Sequence, residues 1–203
     1  IEHPASHTAP AFIPTTTPEF KAMNRNLARM AEKNTPRADD PKEDVKQTAP
    51  MLSNVDASLY PIVKSGKIDV SGGHYDAGDY SKYLTNSAQL VSALVFATDH
   101  FPGVDRIDNL GLPESGDGIP DALQIAKWEA DFIAKMQDED GGFFFLVYPK
   151  DRSYELDVLP ENGDPQVVFP KNTIATAGAV GALAQCAASP AFQKAFPEDA
   201  GRY

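Results

Sequence analysis

A mostly α-helical fold is what this sequence predicts, and three observations point to it. Apolar residues recur at helical spacing in Ser81–His100 and Ile119–Met136, and a third helical stretch, Asn172–Ala188, is largely Ala and Gly. Glycine and proline punctuate their boundaries at Pro102-Gly103, Gly118 and Pro120, Gly141-Gly142 and Pro190. Runs of β-forming composition are short, chiefly Phe143–Tyr148, so strands are expected only as scraps.

The first stretch of the chain reads differently. Residues 1–56 carry Pro4, Pro10, Pro14, Pro18 and the Thr15–Thr17 run, then a helix-compatible segment Glu19–Lys33, then proline mixed with charge over Asn34–Pro50. Little of this is periodic, so it reads as an extended arm or interdomain linker with one short helix. Residues 57–203 read as a packed domain. From Ile68, Asp69-Val70-Ser71-Gly72-Gly73 is a short extended segment entering a glycine turn. In Ser81–His100 the inward face is expected along Leu90, Leu94 and Phe101, with Val91 and Val95 beside them. Asp117-Gly118-Ile119-Pro120-Asp121 places acids and a proline at a helix start, where unpaired N–H groups and the helix dipole favour them. The helix that follows turns Ile119, Leu123, Ala126, Ala130 and Ile133 inward. Asp140-Gly141-Gly142 signals a turn before Phe143–Tyr148, which Pro149 ends. Lys150–Asp164 is a long polar loop, and loops of that length between helices are often functional. Asn172–Ala188 is Ala or Gly at most positions, a composition that suits close packing on several sides.

Composition removes several function classes. With 18 Lys+Arg against 29 Asp+Glu the net charge is −11, which argues against a nucleic-acid partner because phosphate binding needs clustered cations. No apolar run approaches the roughly 20 residues of a membrane span, so no membrane partner is expected. A single cysteine, Cys186, excludes an internal disulfide and any multi-cysteine zinc site; within Ala182–Ala188 it reads as a small buried residue. His3, His7, His74 and His100 are scattered.

The chemistry concentrates between Asp69 and Tyr83. Asp76 and Asp79 stand at i and i+3, with Cβ atoms expected about 5–6 Å apart in a turn or first helical turn. Carboxylates that close repel, so one of them is expected to hold its proton more tightly unless donors or cations compensate. Gly72, Gly73 and Gly78 let the backbone bend and a ligand approach, while His74, Tyr75, Tyr80 and Tyr83 supply flat faces and hydroxyls suited to a sugar ring. An acid pair holding one water is what hydrolysis by general base requires. The same two aspartates also suit capping of a helix beginning near Tyr80, and the spacing by itself leaves both readings open.

The run Gly72-Gly73-His74-Tyr75-Asp76-Ala77-Gly78-Asp79-Tyr80-Ser81-Lys82-Tyr83 resembles the GG-x-x-DAGD-x-x-K[YF] signature of glycoside hydrolase family 9, the cellulase family of inverting β-glycosidases. Further matches follow in order: Gly118-Ile119-Pro120-Asp121 leading into Ala126–Phe132 and Met136-Gln137, then Asp140-Gly141-Gly142, then Pro170-Lys171-Asn172-Thr173. Together they cover roughly residues 66–203. The resemblance implies part of an (α/α)6 barrel, with residues 57–203 as its N-terminal half. It implies that Asp79 is the general base and that Asp76 helps hold the nucleophilic water, neither becoming bonded to sugar. Inversion needs a second carboxyl roughly 6.5–9.5 Å away to protonate the leaving oxygen. In the family this is a Glu near the end of the catalytic domain, beyond an Arg/His-bearing motif, and neither segment occurs in these residues. The acid is therefore expected from the C-terminal half of the barrel, as a separate chain.

The implied substrate is a cellulose-like β-1,4-glucan or oligosaccharide, with His74, Tyr75 and Tyr80 as substrate-binding residues. The alternative is a catalytically incomplete carbohydrate-binding fragment. A peptide-binding helical toroid is a more distant third. No cofactor is expected for the reaction. Calcium enters only as a structural ion, for which Glu114–Asp121 offers acids around a glycine turn, although a capped helix start accounts for the same residues. Trp128 reads as core, Lys82 and Tyr83 as residues that orient the turn. Tyr148 and Phe143–Phe145 fit either a subsite or a packed strand. A polymeric substrate implies a secreted or periplasmic location.

Overall fold

The computed structural model describes residues 10–13, 19–21, 46–48, 66–76, 81–149 and 166–203. Three helices dominate it: α1 (Leu84–His100), α2 (Asp121–Lys135) and α3 (Thr173–Ala188). Two short helices follow, α4 (Pro190–Ala195) and α5 (Pro197–Arg202). α1 packs against both α2 and α3. The three predicted helices are all present, and the mostly α reading holds.

Each helix starts where its sequence permits. α3 is capped by Asn172, whose side chain accepts a hydrogen bond from Ala175 N at 2.8 Å. Ser189 caps α4 in the same way, accepting from Phe192 N, with Pro190 in the first turn. α1 begins at Leu84 rather than Ser81, with Tyr83 in extended conformation at the cap position and no side-chain cap. Its inward line also differs from the expected one: Val91 and Val95 are fully buried, Leu90 and Leu94 half-buried, and Phe101 is 56% exposed. The helix is turned about its axis relative to that line, so that Leu84, Val91 and Val95, and not Leu90 and Leu94, fill the core. In α2 the predicted line is in place, with Leu123, Ala126, Ala130 and Ile133 buried and Ile119 packed partly against them.

The scraps of strand assemble into a sheet, which periodicity did not foretell. Five strands run in the order β4 (Gly66–Ile68), β1 (Ala11–Ile13), β7 (Gln166–Val168), β6 (Leu146–Pro149), β5 (Lys82–Tyr83). β6 is antiparallel to both neighbours, with Val147 opposite Val168 and Lys82. β1 is antiparallel to β4 and parallel to β7, meeting it at Phe12 and Val167. The run Phe143–Tyr148 is buried throughout, so the packed-strand reading of Phe143–Phe145 and Tyr148 is the one the structure supports. β1 lies within the stretch read as an arm, and its Ala11 and Ile13 belong to the same core as the helices. A separate hairpin pairs β2 (Glu19–Lys21) with β3 (Lys46–Thr48). Glu19–Lys21 is therefore strand where a helix start was expected; residues 22–33 lie outside the described residues, as does the loop 150–164.

Cys186 is buried on α3, as its alanine-rich surroundings imply, and burial pushes its thiol pKa up to about 12. The opposite side of α3 faces water without a charge, with Ile174 70% and Val180 53% exposed. The expectation of close packing on several sides holds for one side of this helix. Among the described residues no helix is long and apolar enough to cross a membrane.

Candidate active site

The glycine turn after β4 is built from underneath by α2. Gly72 and Gly73 both take positive φ, +80° and +74°, a region L side chains avoid. Gly73 also sits against Phe132 so closely that a Cβ there would lie 2.6 Å from the ring. Glycine is required here twice over, by conformation and by space. The buried Lys82 then ties the turn together from β5, donating from Nζ to Val70 O at 2.6 Å and Gly72 O at 2.7 Å. Its ammonium also lies 5.1 Å from the centre of the Phe132 ring. Lys82 thus orients the turn, as the sequence implied.

The approach to the turn is fixed by charge. Asp69 accepts from Ser71 N at 2.8 Å and pairs with Lys135 at 2.9 Å, while Lys135 also reaches Ser71 Oγ at 2.8 Å. Partial burial raises the Asp69 pKa, but the Ser71 hydrogen bonds and the Lys135 charge outweigh it and bring it to about 2.

Beyond the turn, His74, Tyr75 and Asp76 line a pocket of about 210 Å³, closed by Tyr83, Asn86, Ser87 and Leu90 of the β5–α1 segment and by Glu129 of α2. Asp76 N donates to Ser81 O at 2.7 Å, which folds the signature back on itself. The Asp76 carboxylate accepts from Asn86 Nδ2 at 3.2 Å. It does not cap α1, whose cap position is Tyr83, so the capping alternative fails for Asp76. Asp79 and Tyr80 lie outside the described residues, as do Ala77 and Gly78. Of the five expected site residues, the structure therefore brings His74, Tyr75 and Asp76 together in one pocket.

Two residues of the α2 stretch Trp128-Glu129 were not foreseen in their roles. Trp128, expected in the core, is 46% exposed and packs edge-on against the His74 ring at 4.7 Å between centres. Glu129 is fully buried, and its Oε1 accepts from His74 N at 2.6 Å and meets His74 Nδ1 as well. Its other oxygen, Oε2, is buried with no hydrogen-bond partner among the described residues. The signal was present in the sequence: Ala122, Ala126, Glu129, Ile133 and Met136 follow helical spacing, so a carboxylate falls on the apolar stripe and Trp128 beside it.

The other acidic loops do different work. In residues 107–121, Asp108 accepts from Gly116 N and Gly118 N, Asp117 from Ile119 N, and Asp121 from Leu110 N and Ser115 Oγ. Of the carboxylates considered for calcium, Asp117 and Asp121 are engaged by the loop itself. Among the described residues no group of three or more His, Cys, Asp and Glu is placed to hold a metal ion. After α2, the buried Lys171 pairs with Asp138 at 2.7 Å and with Asp140. Burial opposes the Lys171 charge, but these two carboxylates outweigh it and raise its pKa; the Lys171 hydrogen bond in turn lowers that of Asp140. A larger groove of about 750 Å³ lies between α2, α3 and α5. Its charges pair with one another: Asp131 accepts from Lys127 at 2.6 Å and from Tyr203 Oη at 2.7 Å, and also pairs with Arg202.

Endoglucanase D of Acetivibrio thermocellus is 34% identical over 122 residues, 60% of this chain and 20% of that protein. Endoglucanase C of Cellulomonas fimi is 35% identical over 108 residues, 49% of this chain and 10% of that protein. The solved family 9 endoglucanase J30 superposes with a TM-score of 0.56 at 32% identity, covering 68% of this chain and 26% of that one. The chain thus spans about a fifth of the length of Endoglucanase D and about a quarter of the solved enzyme. The fold is part of the (α/α)6 barrel of these enzymes. The model of glycosyl hydrolase family 9 matches residues 22–202, nearly the whole chain, and to that family the chain belongs.

Proposed function

We propose that this chain forms part of an inverting glycoside hydrolase acting on β-1,4-linked glucans or their oligosaccharides. The observation that carries the reading is the glycine-turn pocket, where His74, Tyr75 and Asp76 of the family signature converge. Asp79 accepts a proton from a water as that water attacks the anomeric carbon, and Asp76 helps hold the water. The glycosidic oxygen leaves with the bonding pair and takes a proton from a carboxylic acid on the opposite face of the sugar. That acid is supplied by the C-terminal half of the barrel, as a separate chain. No cofactor takes part in these steps, and any bound calcium is structural. His74, Tyr75 and Tyr80 contact the substrate. Because the substrate is a polymer, the enzyme works in the periplasm or outside the cell. The relatives support this substrate class, since two that match are endoglucanases.

In the complete catalytic domain, Asp79→Asn should lower turnover by at least about 100-fold while oligosaccharide binding is retained, read by reducing-sugar release and calorimetry. Turnover at the wild-type rate overturns the assignment of the base. The alternative reading is a catalytically incomplete carbohydrate-binding fragment without turnover. Denaturing intact-mass measurement of the active preparation separates the two. A second polypeptide carrying the glutamate supports the hydrolase, and a lone chain that binds sugar without turnover supports the alternative.

A further inference from the structure

We infer that Glu129 is a positioning residue that sets the tautomer and orientation of His74, so that His74 Nε2 is presented to the pocket as an acceptor for a sugar hydroxyl. The inference rests on the reading of this pocket as a glucan subsite.

Three features of the molecule lead to it. First, one carboxylate oxygen grips His74 twice, at the backbone N (2.6 Å) and at ring Nδ1. A carboxylate can only accept, so the neutral ring must carry its hydrogen on Nδ1, which leaves the lone pair on Nε2. Second, the ring also makes a T-shaped contact with Trp128, so it cannot swing away from Glu129 without losing that contact. The His74 side chain is nevertheless 53% exposed and lines the pocket, which puts the unengaged half of the ring where a ligand arrives. Third, Glu129 is held at a cost the fold does not recover locally. Its side chain is fully buried on α2, and Oε2 has no hydrogen-bond partner among the described residues. A buried carboxylate with an unmatched oxygen opposes folding, and a neutral apolar residue on this stripe would pack without that penalty. What the carboxylate does achieve is the double grip on His74. The glycines complete the arrangement, since Gly73 lies close enough to Phe132 to bring His74 within reach of the next turn of α2.

The test has two independent readouts. The first is the His74 tautomer, taken from long-range 1H–15N correlation spectra of the complete catalytic domain. The Nδ1–H form is expected in the wild type and in Glu129→Gln, whose amide oxygen still accepts; an Nε2–H form in the wild type overturns the inference without needing any variant. The second is cellotetraose binding and hydrolysis by the complete catalytic domain. Glu129→Leu should raise Kd and KM roughly tenfold, about one ligand hydrogen bond, with kcat within about twofold, and Glu129→Gln should restore most of the loss. Wild-type KM in Glu129→Leu, or an equal fall in kcat for both variants, overturns the positioning role while leaving the glucan reading intact. A wild-type domain that does not bind cellotetraose overturns the glucan reading, and the tautomer then still decides whether Glu129 positions the ring.

Discussion

Two glycine turns in this molecule use the same ingredients to opposite ends. Each is locked by a buried lysine, and each has a glycine where a Cβ would collide with a buried side chain, Gly73 with Phe132 at 2.6 Å and Gly142 with Lys171 at 2.8 Å. In the turn at Gly72-Gly73, Lys82 takes backbone carbonyls, and the acid that follows, Asp76, meets a neutral amide and lines a pocket. In the turn at Gly141-Gly142, Lys171 takes the carboxylates of Asp138 and Asp140, and the acids become part of the scaffold. A D-G-G or a G-G-x-x-D in a sequence is therefore no measure of reactivity. What differs among the described residues is the partner of the acid: Asp138 and Asp140 meet an ammonium, Asp76 an amide.

The largest effects should come from the lysines. Lys171→Met leaves Asp138 buried without its cation and should cost about 3–5 kcal/mol in urea unfolding. Lys82→Met strands the carbonyls of Val70 and Gly72 and should cost at least about 2–3 kcal/mol. The glycines come next. Gly73→Ala combines a positive φ with the Phe132 collision and should cost about 3 kcal/mol, whereas Gly141→Ala, with a φ of +86° but open space, should cost about 1 kcal/mol by thermal melts. Asp76→Asn should change stability by less than about 1 kcal/mol, since its partner Asn86 is neutral and the site is open. A cost near that of Lys171→Met would make Asp76 scaffold. The smallest effect is that of Asp69. Its pKa is depressed from 3.8 to about 2, so its stabilising contribution is full above pH 3.8 and is lost as pH falls toward 2. Asp69→Asn should flatten the melting temperature slightly over that window; an unchanged profile would remove Lys135 and Ser71 from the support of the turn.

How much of this was legible follows from the length scale of each signal. α2 announces itself through many residues at one period, α3 through its run of alanine and glycine, and Asn172 marks the start of α3 by its chemistry. β1 is three residues, Ala11–Ile13, too short for alternation to register, and its partner at Val167 is more than a hundred positions away. Pairings at that distance are set by the folded core and not by local composition. Of the signature residues, His74, Tyr75 and Asp76 line one pocket. Glu129 was harder to see because a glutamate in a helix is ordinarily solvent-facing, and only its place on the stripe Ala122, Ala126, Ile133 betrays it. Trp128 was misplaced for the converse reason: its mid-helix place argued for the core, while the face it lies on put it beside His74.

Cys186 turns from a structural detail into an instrument. It is the sole thiol of the chain, it is buried on α3, and with its pKa near 12 almost none of it is thiolate at neutral pH. An alkylating reagent can therefore label the protein only while α3 is detached from its neighbours. A brief pulse of such a reagent, followed by intact mass, counts open molecules one by one and ranks the variants above by how often each lets go.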